Sequence, residues 1–99
     1  MIEIGILAGI LIGAVVLIFT LAMFRDWVKN HLGKYRNRQL LTGLVRDRLE
    51  SGDYKITRFL FDEDIKEFVE ADAIRASSLD QDLEDKFGNK DTIIEPIAH

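Results

Sequence analysis

Cysteine is absent from this 99-residue chain, which excludes an internal disulfide, a thiolate metal site and a cysteine nucleophile. Proline occurs once, at Pro96, so no proline ends a helix earlier in the chain. The two histidines, His31 and His99, lie far apart with no companion at metal-ligand spacing, and each reads as an ordinary solvated side chain. No glycine-rich loop follows a strand pattern in a way that would cradle phosphate. The absence with the largest consequence is of charge: from Ile4 to Phe24 there are 21 residues without one ionisable side chain.

As a helix rising about 1.5 Å per residue, that run is roughly 31 Å long, close to the ~30 Å hydrocarbon core of a bilayer. The expected architecture is therefore mainly α: a single-pass transmembrane helix, then a basic amphipathic helix, then a small, partly irregular acidic tail. A cleaved signal peptide fits less well. The chain opens Met1-Ile2-Glu3 rather than with cations, the run exceeds a signal core, and only Thr20-Leu21-Ala22 imitates a cleavage site. The absence of charge within the run also argues against an ion path or proton relay.

Charge is divided unevenly. Residues 1 to 51 hold seven Lys/Arg against four Asp/Glu, and residues 52 to 99 hold six against thirteen, giving +3 and −7. Arg25, Lys29, Lys34, Arg36 and Arg38 follow the apolar run, so the positive-inside rule places the N-terminus outside and the C-terminus in the cytoplasm. Trp27 and Tyr35 are the expected interfacial anchors. Inside the run Gly5, Gly9 and Gly13 recur every four residues, the spacing of a helix-packing groove, with bulky Leu7, Leu11, Val15 and Ile18 turned towards lipid.

Four segments follow from this reading: 1–33 as anchor with a juxtamembrane extension, 34–51 as a basic amphipathic helix, 52–75 as a small helix-containing element, and 76–99 as a flexible or partner-ordered acidic tail. The extension is expected to stop near Asn30 or Gly33, with Gly33 suited to a left-handed cap. In 34–51, Leu40, Leu41, Leu44, Val45 and Leu49 fall on one helical stripe that would lie on lipid, dock on a partner or pack on the chain's own tail. Ser51-Gly52-Asp53 marks a turn. Tyr54 to Phe61 fits a short strand or a helix. From Asp62 a helix is expected, with Asp62 or Asp64 as its cap and Ile65, Phe68, Val69 and Ile74 as its apolar face. A short helix near Ser78 and an extended end around Pro96 complete the pattern.

The candidate partner-binding side chains are Leu41, Leu44, Val45, Phe59, Phe61 and Phe68, because the aromatic cluster exceeds what so short a segment buries alone. Asp80, Asp82 and Glu84 open like a calcium loop, but Asp85 replaces the required glycine and Asp91 the closing glutamate. No catalytic residues, cofactor or metal are expected. The partners expected are membrane lipid, other transmembrane helices of the same or another chain, and a cytoplasmic protein, with no nucleic acid. The function these readings favour is a non-catalytic single-pass accessory or scaffold subunit of a membrane complex. The alternative is a self-associating membrane-active or transporter-regulating small protein, and an enzyme comes third.

Overall fold

The computed structural model describes residues 3–35 and 37–97. It overturns the expected mainly α architecture. The chain forms a five-stranded mixed sheet, and among the described residues no helix is long and apolar enough to cross a membrane. The single-pass span, the outside-to-cytoplasm orientation and the membrane localisation drawn from that span fall with it.

The apolar run divides into three pieces. Ile4–Gly9 is a 3-10 helix, Ile12–Phe19 is strand β1, and Leu21–Leu32 is helix α1. Local chemistry supports the divisions. Glycines at 5, 9 and 13 weaken a helix interior, while Ile12, Val15, Val16 and Ile18 are β-branched residues that suit a pleated surface. Thr20 is extended, and its hydroxyl accepts the Met23 N–H at 3.1 Å, so a new helix starts just inside the run. That helix ends at Leu32, near its expected stop. Gly33 there is right-handed, with φ −59°, and leads into the 3-10 turn Gly33–Tyr35 in place of a left-handed cap.

The remaining strands are β2 (Leu40–Arg48), β3 (Tyr54–Asp62), β4 (Glu67–Leu79) and β5 (Thr92–Pro96), with helix α2 (Gln81–Phe87) between the last two. The order across the sheet is β1-β4-β3-β2-β5. β1 lies parallel to β4, and every other neighbouring pair is antiparallel. β1 and β2 consequently run in the same direction, and α1 is the crossover that carries the chain over β4 and β3.

The expected amphipathic helix over 34–51 is thus the 3-10 turn and strand β2. Its leucines look helical in spacing because β2 is buried on both faces, and such a strand reads as a nearly continuous apolar run. Leu44 faces the helices while Leu41 and Val45 face the opposite side. The segment from Asp62 is likewise a hairpin turn and the long strand β4 where a helix was expected. Tyr54–Asp62 resolves to the strand alternative. Residues 76 to 97, read from the sequence as part of a flexible or partner-ordered tail, form the end of β4, α2 and β5.

Two apolar layers hold the sheet. On one face α1 and α2 bring Phe24, Leu83 and Phe87 onto Leu44, Ile56, Ile74 and Ile93. On the other, the N-terminal 3-10 helix lays Leu7 over Phe59 and Phe61, with Phe68 edge-on to both rings at 5.4 and 5.1 Å. Asp80 ties the two helix starts together. Its carboxylate accepts the Leu83 N–H of α2 at 3.0 Å and the Leu21 N–H of α1 at 3.2 Å, while its own N–H donates to the Phe19 carbonyl. Arg46 then clamps α2 and the loop after it, pairing with Glu84 at 3.1 Å and Asp91 at 3.3 Å beneath the Phe87 ring.

Gly43 is required where β2 passes Phe59. A Cβ added there would meet the Ile93 backbone carbonyl and lie 2.6 Å from the Phe59 Cζ. Gly5 and Gly9, by contrast, have open space where a Cβ would go. Gly43→Ala should therefore lower stability by about 2 kcal/mol or more, in the range of core overpacking. Gly9→Ala should change it by no more than about 0.5 kcal/mol, as exposed substitutions usually do. Urea unfolding of the two variants beside the parent measures both.

Candidate functional site

β1 forms one edge of the sheet, and its residues Ile-Gly-Ala-Val-Val-Leu-Ile-Phe carry no charge and no proline. Only one side of its backbone is paired, through β4. Its side chains are open as well: Leu11 just before it is 87% exposed, Val15 73%, Leu17 79% and Ile18 52%. Ile6 and Ile12 extend the patch. Six large apolar side chains on one stretch of chain exceed the scattered exposure usual on a protein surface, and an unprotected edge of this kind accepts a further strand. The opposite edge differs. β5 is five residues long, carries Glu95 and ends at Pro96, which has no N–H to offer a neighbour.

Beside β5 lies a cleft of about 580 Å³ between α1 and the β2–β5 edge. Phe24, Val28 and Leu32 of α1 form one wall, Pro96 and Ile97 the other, and Arg25 and Lys29 stand at its rim. Thr42 lies at the bottom with its hydroxyl already donated to the Phe59 carbonyl at 2.9 Å.

Several charged groups hold elements in place. Arg58 grips Asp72 through two hydrogen bonds of 2.7 and 2.8 Å, and the Trp27 indole N–H donates to the same carboxylate at 3.1 Å. The Arg58 guanidinium sits 5.2 Å from the Trp27 ring centre, so α1 is tied to the sheet by both hydrogen bonds and cation–π attraction. The single Tyr35 hydroxyl proton is shared between the Glu70 carboxylate at 2.9 Å and the Val69 carbonyl at 3.1 Å, and burial together with the Glu70 carboxylate raises the Tyr35 pKa. Asp62 has no accessible surface, being covered by its own turn and by Arg38. It pairs with Arg38 at 2.6 Å and accepts the Asp64 and Ile65 N–H groups. Its capping tendency was legible, but the turn it caps leads into a strand.

The residues expected to act together are dispersed. Gly5 and Gly9 lie on the 3-10 helix and Gly13 on β1, so no continuous helix aligns them. Trp27 is buried against Asp72, and Tyr35 is half-buried against β4. Among the basic residues, Lys34 reaches Glu70 at 3.4 Å and Arg38 binds Asp62, while Arg25 and Lys29 are exposed on α1; Arg36 lies outside the described residues. Leu44 and Phe59 are fully buried, and Phe61 nearly so. Leu41, Val45 and Phe68 pack with Phe59 and Phe61 beneath the N-terminal 3-10 helix. The aromatic excess is thus covered from within the chain, by Leu7. Of the residues expected to face lipid, Leu7 is buried while Leu11, Val15 and Ile18 are open to solvent. The edge strand itself escaped sequence reasoning, although the β-branched content of residues 10–18 was its available signal.

Among the described residues, no group of three or more His, Cys, Asp or Glu side chains is placed to hold a metal ion. Comparison with protein family models, with curated proteins and with solved structures finds no match to this chain.

Arg38, through its hydrogen bond to the carboxylate, together with the two backbone N–H donors, holds the Asp62 carboxyl below its ordinary value of 3.8. The folded state favours the ionised form, so this contribution is fully present above that value and is lost as pH falls through the depressed one. Asp62→Asn should unfold at lower urea concentration than the parent at pH 7, and the gap should narrow as pH is taken below 3.8. Urea midpoints at several pH values test this, and a gap independent of pH would contradict it.

Proposed function

We propose that this chain is a non-catalytic accessory or scaffold protein that docks on a partner protein by adding a partner strand to β1. The observation that carries this reading is the bare apolar edge. Eight residues of strand present unpaired backbone groups flanked by exposed Val15, Leu17 and Ile18, whereas β5 at the other edge is short and closed by Pro96. Strand addition draws affinity from main-chain hydrogen bonds and specificity from alternate side chains. β1 offers both, with Val15 and Leu17 on one face and Val16 and Ile18 on the other.

The polar clusters support the same reading. Arg58 with Asp72, Arg46 with Glu84 and Asp91, and Arg38 with Asp62 each bond groups on separate elements together, which is a positioning role. The partner expected is a protein with an apolar strand or extended segment. A standard protein interface buries about 800 Å² per partner, and the exposed parts of Ile6, Leu11, Ile12, Val15, Leu17 and Ile18 with the adjoining backbone supply several hundred Å² of it.

The test is a double substitution, Val15→Lys with Leu17→Lys, at positions already open to solvent. It should abolish recovery of the partner that co-purifies with the tagged parent and leave the thermal midpoint nearly unchanged. Ile94→Lys, which places a lysine on an exposed residue of β5, should leave recovery intact. In the complex, outward-facing β1 amides should gain protection from hydrogen exchange. Equal recovery of the same partner by the β1 variant, or protection confined to other strands, would overturn the proposal.

A further inference from the structure

The cleft between α1 and the β2–β5 edge lies away from β1 and takes no part in docking there. Its size, about 580 Å³, falls within the range of small-molecule sites. Apolar side chains make up more of its lining than polar groups do. Phe24, Val28, Leu32, Pro96 and Ile97 contribute hydrocarbon, and the Thr42 hydroxyl proton is already donated to the Phe59 carbonyl. An occupant of that interior therefore has few hydrogen bonds to satisfy and gains chiefly from burial.

Charge at the rim is not balanced. Arg25 and Lys29 stand one helical turn apart on α1 and line the cleft, and among the described residues no carboxylate lies in ion-pair range of either. Glu95, the acid on the facing wall, is engaged by Lys86 at 3.0 Å. Two cations are thus left facing an apolar trough in a chain whose formal net charge is −4. Guanidinium and ammonium groups so placed are complementary to one compact anion, and a carboxylate presents two oxygens that both can share.

We propose that this cleft binds an aliphatic monocarboxylate, its chain lying between α1 and Pro96–Ile97 and its carboxylate held by Arg25 and Lys29.

Decanoate, kept below its micelle-forming concentration, is titrated into the full chain by calorimetry, with amide chemical shifts followed in parallel. Saturable binding is expected, with shifts concentrated at Val28, Leu32, Thr42 and Ile97. Arg25→Gln with Lys29→Gln should weaken decanoate by about tenfold or more, since charge-assisted hydrogen bonds are lost. The same substitution should leave the weaker binding of 1-decanol unchanged. Lys66→Gln with Lys90→Gln removes equal charge elsewhere and should have no effect on decanoate. Thermal midpoints confirm that all variants fold. The proposal fails if binding does not saturate, if decanol binds as tightly as decanoate, if both double variants weaken decanoate alike, or if the shifts map to β1.

Discussion

A sheet that is apolar on both faces needs two covers, and this requirement shapes the molecule. β3 shows it within one strand: Ile56 and Phe59 are both fully buried, yet they belong to opposite layers. Residues 4–32 provide a lid for each. The 3-10 helix sets Leu7 on Phe59 and Phe61, and α1 sets Phe24 on the other side. Removing water from each face is the dominant favourable term, and neither lid would hold its conformation without the surface beneath it.

Between the two lids the chain must travel along the edge of the sheet, and β1 is that passage. Its parallel pairing with β4 satisfies half of its backbone groups and leaves the rest open. The exposed apolar edge is therefore a consequence of how the covers are connected. It is also the surface on which the proposed docking rests. The second edge shows that an unprotected strand is not general to this fold, because Glu95 and Pro96 occupy the equivalent positions on β5.

Polar groups set the geometry of the covers more than they add to cohesion. Asp80 accepts from the first turns of both helices, so the starts of α1 and α2 are fixed to one carboxylate. Arg58 and Trp27 converge on Asp72, which sets the rotation of α1 and so turns Arg25 and Lys29 towards the cleft beside β5. Each such contact contributes about 1 to 3 kcal/mol at most, and less where solvent reaches it. Their directionality is what an apolar core lacks.

Local chemistry by itself determined the punctuation of the chain. The turn at Ser51-Gly52-Asp53, the helix end near Gly33, the capping carboxylate of Asp62 and the extended segment before Pro96 all depend on a few adjacent residues, and those appear where the sequence places them. Tertiary structure alone decided the rest. An apolar run gains by leaving water whether its new surroundings are lipid, a helix layer or a sheet, so the hydropathy of Ile4–Phe24 could not distinguish one span from two lids and an edge strand. Strands buried on both faces lose the alternation that would reveal them, which is why β2 imitated a helical stripe. Pairing β1 with β4 links residues about 60 positions apart, and the exposed edge and the cationic cleft come into being only when such distant segments meet.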